Sequence, residues 1–313
     1  MTLDAQHKIR IAAEVSRTLA AGEAVVALES TVIAHGLPWP LNIETARACE
    51  EVVRRRRATP ATIGLVEGVQ TVGLNEHELN VFARRDGGTP IEKVGLNNFA
   101  SVMQKRGWGA TTVAASLRIA RASGLRVFST GGIGGVHRGA AETFDVSADL
   151  TALAGIQIVC VCAGAKAILD LPKTAELLET FGVPVVGYCT EEFPAFYSRK
   201  SGLKVDATVE TPDEAAELAI NHWASGGVGA VLLCVPIPAE FEIPARDVEQ
   251  ATSQAIATAS ERRISGKAVT PFLLEQLEKI TGGQSLVANR ALLINNAEVA
   301  ALVSVSLSKI GGA

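Results

Sequence analysis

An ionisable side chain stranded in apolar sequence concentrates chemistry, because a charge withdrawn from water costs several kcal/mol unless it is paired. Lys166 is such a residue. From Leu150 to Leu169 it is the sole Lys, Arg, Asp or Glu, although 20% of the chain is charged. It lies in Cys162-Ala163-Gly164-Ala165-Lys166, just past a predicted strand, where small neighbours and apolar walls suit an amine that attacks a carbonyl. The plainer alternative is a lysine at the start of a helix that snorkels to the surface. Glu29 is the second, alone among the residues from Ala24 to Ala34. Burial favours the protonated form of a carboxyl, as a general acid requires. The alternative is an acid that caps backbone amides or pairs with a lysine.

Three further segments carry groups that could hold a ligand. Ser129-Thr130-Gly131-Gly132-Ile133-Gly134-Gly135-Val136-His137-Arg138-Gly139 is a glycine-rich loop after a predicted strand, where backbone can approach a ligand closely. It is neither a dinucleotide-binding fingerprint, since His137 stands where the last glycine belongs, nor a Walker loop. In Phe144-Asp145-Val146-Ser147-Ala148-Asp149 the groups Asp145, Ser147 and Asp149 share a face if the chain is extended, and such hard oxygens suit Mg²⁺ or Mn²⁺. The plainer reading is that Ser147 caps a following helix with Asp149 in its first turn, and both can hold. Gly109-Ala110-Thr111-Thr112-Val113 is expected to open a helix ending near Gly124, whose free amides and hydroxyls would seat a phosphate. Together these describe a divalent-metal, phosphosugar-handling site with an acid and an imine-forming lysine, compatible with a class I aldolase, an isomerase or a glycosidic-bond enzyme.

The elements that must position these residues follow from composition and periodicity. The chain has 313 residues, 48% of them hydrophobic, and a net charge of −4. That is enough apolar sequence for a large core and too little positive charge for a generic nucleic-acid or membrane-surface binder. Few aromatics and many Ala, Val and Gly suit helix-on-sheet packing. Val- and Ile-rich runs at 24–28, 62–66, 69–72, 126–129, 156–162, 184–188, 207–209 and 228–235 read as strands, most of them separated by helical patterns. Thr211-Pro212-Asp213-Glu214 and Asn75-Glu76-His77-Glu78 are helix starts, and Gly226-Gly227 is a stop. From Pro244 onward the pattern is almost wholly helical. The expected fold is a single α/β/α layered domain over residues 1–313, with a mixed central sheet and a helical last third.

Met1 to Gly22 reads as an amphipathic helix rather than a signal peptide. No stretch approaches 18 uninterrupted apolar residues, so no membrane span and a cytoplasmic setting are expected. Cys49, Cys160, Cys162, Cys189 and Cys234 read as buried thiols, with Cys160 and Cys162 on one strand face. The run Arg54 to Arg57 ends a helix begun near Asn42 and reads as a cationic C-terminal turn rather than a phosphate or RNA contact.

Across nearly the whole chain from about residue 20, these motifs resemble the pseudouridine-5'-phosphate glycosidase family, also called indigoidine synthase A-like. The resemblance runs through Leu28-Glu29-Ser30-Thr31, His35-Gly36-Leu37-Pro38, the segments at 109–113 and 130–139, Phe144 to Leu150 and Val161 to Lys166. Further on come Pro194-Ala195-Phe196, Pro236-Ile237-Pro238, Thr270-Pro271-Phe272-Leu273-Leu274 and Asn295-Asn296-Ala297. It implies a homotrimer that binds Mn²⁺ and interconverts pseudouridine 5'-phosphate with uracil and ribose 5-phosphate. By position, Lys166 would be the nucleophile on the anomeric carbon, Glu29 the proton donor, and Asp145 the metal residue, acting mostly through waters. Lys93, Thr112 with the Val113 amide, and Ser147 would seat the phosphate with Asp149 nearby, while Thr130, His137 and Asn289 would line the sugar and base region. One stretch departs: where family members often carry a basic pair after Lys93, Val94-Gly95-Leu96-Asn97-Asn98-Phe99 is neutral. The ribose chemistry would survive that change, but the partner could then be another aromatic ring, joined by a C-glycosynthase.

Overall fold

The computed structural model describes residues 9–84, 88–262, 264 and 269–311. Its strands are β1 (Arg10–Ile11), β2 (Val25–Leu28), β3 (Thr59–Val66), β4 (Val69–Val72), β5 (Ile91–Val94), β6 (Trp108–Thr111), β7 (Val127–Ser129), β8 (Val159–Cys162), β9 (Val185–Tyr188), β10 (Ala207–Val209) and β11 (Val231–Cys234). They form one sheet in the order β1-β4-β3-β2-β7-β8-β11-β9-β10, with β6 on β3 and β5 on β6. Most pairs are parallel, but β3 runs antiparallel to β4 and to β6, so the sheet is mixed.

The helices are α1 (Ala13–Ala20), α2 (Leu41–Arg55), α3 (Glu76–Ala83), α4 (Phe99–Gln104), α5 (Val113–Ala122), α6 (Ala140–Thr143), α7 (Ala148–Gly155), α8 (Leu171–Thr180), α9 (Pro212–Ala224), α10 (Ala245–Glu261), α11 (Val269–Ile280) and α12 (Gln284–Gly311). They cover both faces of the sheet, and strand alternation sorts the side chains between them. Val26, Leu28, Val127, Val159, Val161 and Leu233 pack with apolar residues of α2, α9 and α12. Ala27, Phe128, Cys160, Cys162, Leu232 and Cys234 face the other way, with residues of α5, α7, α8, α10 and α11. The architecture is therefore α/β/α, with a C-terminal third that is helical after β11.

Several boundaries differ from expectation. The N-terminal helix begins at Ala13, because Arg10 and Ile11 extend and pair with Thr71 and Val72 of β4; residues 1–8 lie outside the described part. Residues 109–111 do not open a helix: they belong to β6, and α5 starts at Val113. Strands β1, β5 and β6 carry too few apolar residues to stand out. The helix α12 is long and apolar enough to cross a membrane, although polar residues interrupt its apolar run. Much of it is buried against α2, α9 and the strands β2, β7 and β8, as a core helix. The capping box of Asn75 with Glu78 and the Thr211 cap on the Glu214 amide form as expected. The arginine run ends α2 in surface ion pairs, Arg54 with Glu14 and Arg56 with Glu298. Cys49, Cys160, Cys162 and Cys234 are buried, whereas Cys189 is exposed just past β9.

Candidate active site

The strand β2 ends at Leu28, opposite Thr62 of β3. Beyond that point β3 takes β6 as a partner, pairing Gly64 with Ala110. The chain after Leu28 thus leaves the sheet where strand partners change, the type of crevice in which α/β sheets hold ligands. It turns into a π-helical segment, Val32–Gly36, braced by buried Asn42, whose Nδ2 donates to the carbonyls of Ile33 (2.8 Å) and Ala83 (2.9 Å). Glu29 is held at this departure. Its carboxylate accepts a hydrogen bond from the Thr130 hydroxyl. Burial pushes the Glu29 carboxyl above its ordinary pKa, against the opposing pull of Lys166, the Thr130 hydroxyl and Lys93.

Lys166 is positioned by backbone that continues sheet-like pairing past the strand ends. The Ile133 amide donates to Gly164 O, and the Lys166 amide donates to Ile133 O (both 3.1 Å). Gly164 has φ +85° and sits where a Cβ would strike the Pro194 carbonyl, so the turn into Lys166 requires glycine. Lys166 is half-buried in irregular chain, not at a helix start, and it lines the same pocket as Glu29.

The residues expected to seat a phosphate depend in part on β5 and β6, the strands that the pattern did not reveal. In β5, Lys93 stands beside Ala110 of β6, and the chain leaves β6 directly into α5. Thr112 caps α5 and accepts from the Ala115 amide (3.5 Å). Asp149 accepts from the Ala114 amide (2.9 Å) and from the Gly134 amide (2.8 Å). It therefore ties the glycine-rich loop to the start of α5, and a Cβ at residue 134 would crowd its carboxylate at 2.8 Å. Ser147 caps α7 and accepts from the Asp149 amide (3.2 Å), so 145, 147 and 149 do not share an extended face; the capping alternative is the one realised. Lys93, Thr112, Val113 and Ser147 all line the pocket.

His137 and Asn289 line it as well, and both are largely buried. Burial lowers the His137 pKa, and the nearby Lys166 and Lys93 act in the same direction while Asp145 opposes them. Thr130 meets the site through its bond to Glu29. Asp145 is not part of the pocket wall; its Oδ2 lies 3.9 Å from His137 Nδ1 and its side chain is 41% exposed. No group of three or more His, Cys, Asp or Glu among the described residues could enclose a metal. One half-exposed carboxylate beside an imidazole fits a divalent ion that keeps most of its waters, and does not fit a closed protein cage.

The pocket has a volume of about 590 Å³, room for a phosphosugar and a planar ring. Its walls include apolar Val32, Leu96, Ile168, Phe196, Leu274 and Leu293. Two positioning residues had not been singled out from the sequence for such a role. Asn98 accepts from the Gly95 amide (2.9 Å) and donates to Lys93 O (3.1 Å), fixing the turn that presents Lys93, Leu96 and Asn97. Asn296 of α12 donates to Thr130 O (2.8 Å) and pins the glycine-rich loop. An asparagine in a neutral loop or on an apolar helix gives only a faint signal, since its partners are backbone groups far away in sequence.

Residues 14–306 match the family model described as indigoidine synthase A like protein. The chain is 51% identical over 302 residues to a protein of Caldanaerobacter subterraneus subsp. tengcongensis named pseudouridine-5'-phosphate glycosidase, covering 96% of this chain and 97% of that one. It is 49% identical over 301 residues to a protein of the same name from Myxococcus xanthus, covering 96% and 99%. Among solved structures it is similar to the prealnumycin C-glycosynthase AlnA in complex with ribulose 5-phosphate, with TM-score 0.89, 38% identity, and 97% and 98% of the two chains covered. It is also similar to an indigoidine synthase A-like protein of Thermotoga maritima, with TM-score 0.87, 35% identity, and 98% and 99% covered.

Proposed function

The chain belongs to the indigoidine synthase A-like family, and from that premise we propose that it is an enzyme interconverting pseudouridine 5'-phosphate with uracil and ribose 5-phosphate. The observation carrying this reading is a single pocket that unites a buried carboxyl whose pKa burial raises, an amine interacting with it, and a lysine beside a helix N-terminus. Lys93, the Val113 amide, Thr112 and Ser147 seat the phosphate, with Asp149 bracing them. Thr130, His137 and Asn289 border the sugar and base.

A carbon-linked base departs poorly, so the ring opens first. The Lys166 amine attacks the anomeric carbon, and the ring oxygen leaves as a hydroxyl. Glu29 then protonates the base carbon while the carbon–carbon bond breaks and the Lys166 nitrogen forms the C=N bond. Water hydrolyses that imine to ribose 5-phosphate and free lysine. A divalent cation, Mn²⁺ in this reading, would be held by Asp145 largely through waters with His137 beside it, supplying charge stabilisation near the sugar oxygens. Excess chelator is expected to abolish turnover and Mn²⁺ to restore it; an undiminished rate in chelator removes the metal assignment. The same reading makes the protein a cytoplasmic homotrimer without nucleic-acid or membrane partners, and light scattering checks the subunit count.

The deciding experiment incubates the protein with pseudouridine 5'-phosphate and quenches with borohydride. Uracil release together with a reduced pentose adduct on the Lys166 peptide is the expected result. Turnover with that peptide unmodified overturns the imine route. An aldolase would instead trap a ketose phosphate and release no uracil, and a nonenzymatic phosphosugar-binding module would show no turnover. The apolar wall with Leu96 and Phe196 supports a second reading, joining of ribose 5-phosphate to a different aromatic ring; product masses from a panel of rings separate it from the first.

A further inference from the structure

Behind Glu29, on the side of the sheet covered by α2 and α12, lies a second, small cavity of about 30 Å³. It is walled by Glu29 itself, by Thr45, Ala46 and Cys49 of α2, by Thr62 within β3 and by Ser129 at the end of β7. That volume has room for a water molecule, and the mostly apolar wall includes three oxygen-bearing residues, Glu29, Thr62 and Ser129. Thr62 is buried and its hydroxyl donates to Glu50 Oε1 at 2.6 Å. Glu50 is only partly buried, on α2 near Arg54, Glu76 and Glu14, so this chain of oxygens reaches the surface. Burial raises the Glu50 pKa, which favours its taking up a proton, and the Cys49 thiol is pushed up to about 12 and stays neutral. The substrate pocket opens on the other side of Glu29, where a bound phosphosugar and base would shield the carboxyl from solvent.

We propose that Glu50, Thr62 and one water in the rear cavity form a proton path that connects Glu29 to solvent while the substrate pocket is occupied. A proton taken up by Glu50 reverses its hydrogen bond, so that Glu50 donates to the Thr62 oxygen. Thr62 passes its own hydroxyl proton to the water, and the water passes one of its protons to the Glu29 carboxylate. Each intervening oxygen gains and loses one proton, and Glu50 returns to its ionised form. Glu50 and Thr62 are positioning residues that act through Glu29, and their role rests on the proposed C-glycoside reaction.

The test runs the reaction in the direction of bond formation, with ribose 5-phosphate and 5-deuterated uracil in ordinary water. Bond formation delivers the deuteron to Glu29; reversal returns it to uracil unless Glu29 has exchanged with solvent first. The measured quantity is deuterium washout from recovered uracil relative to C-glycoside formed. The parent enzyme is expected to show ready washout. Thr62→Val and Glu50→Gln should each lower the ratio at least tenfold, and Thr62→Ser should restore it. A loss of packing alone slows both processes and leaves the ratio unchanged, so an unchanged ratio in Thr62→Val and Glu50→Gln overturns the path. A parent enzyme that forms no C-glycoside with uracil rejects the underlying reaction, and the path falls with it.

Discussion

Glu29 and Asp149 are both buried carboxylates at the edge of one pocket, 9% and 5% exposed, yet they are built for different work. Asp149 receives two backbone N–H bonds from separate segments and joins the glycine-rich loop to the start of α5. Glu29 receives a hydroxyl that can rotate, and burial drives it toward its protonated form. Fixed amide donors make a buried acid a brace, whereas one rotatable donor leaves it able to surrender a proton. Burial alone did not separate them; the donor set did.

The comparison can be broken from the Glu29 side first. Lys166→Ala is expected to lose at least ~10³-fold in rate, about 4 kcal/mol, while keeping its fold. Retained activity would leave the acid beside Lys166 with no imine to serve. For Glu29→Gln, cleavage should fall by roughly 10²–10³-fold while borohydride still traps the Lys166 adduct. Rapid uracil release by that variant would assign the acid elsewhere. In the parent, cleavage should slow as pH rises through the raised Glu29 pKa, because the acid form is lost; the Gln variant should lack this limb.

Asp149→Ala is the converse. It leaves two buried N–H groups unpaired and should cost about 2–5 kcal/mol of stability, lowering Tm by roughly 3–8 °C. The sign for Glu29→Gln is opposite. A carboxyl whose folded pKa is raised binds its proton more tightly in the fold than unfolded, so ionising it costs stability as pH climbs from the unfolded value through the folded one. At neutral pH the Gln variant should therefore keep or gain Tm, and thermal melts of the two variants side by side would expose a mistaken pairing. The smallest effect is expected of Asn98→Ala. Loosening the Lys93 turn should raise the KM for the phosphosugar about fivefold, near 1 kcal/mol, with kcat little changed. A kcat effect without a KM effect would move Asn98 out of the seat.

Much of this is legible in the sequence. Lys166 and Glu29 stood out because each was the lone charge in an apolar run, and such a residue must be paired, desolvated or at work. The main strands and the Asn75 and Thr211 caps were readable because their signals lie within a few residues of one another. The strands β5 and β6 were not, since Ile91-Glu92-Lys93-Val94 and Trp108-Gly109-Ala110-Thr111 are short and weakly apolar, and they are strands because β3 offers an edge beyond the end of β2. Asp145, Ser147 and Asp149 read either as one face of extended chain or as a Ser147 cap with Asp149 in the first helical turn; the cap forms, and Asp149 meets the Ala114 and Gly134 amides, partners remote in sequence.

The sequence by itself determined which groups had to be explained: charges among apolar neighbours, glycines where backbone must come close, and alternating elements that bury a large core. Only the tertiary structure decided their roles, because the decisive partners are remote along the chain. Thr130 lies 101 residues from Glu29, and Ala114 lies 35 from Asp149. Local periodicity records how a segment pairs with itself and with a generic apolar interior. Whether a buried oxygen meets a hydroxyl, two amides or a water-sized cavity depends on where the sheet brings distant segments together.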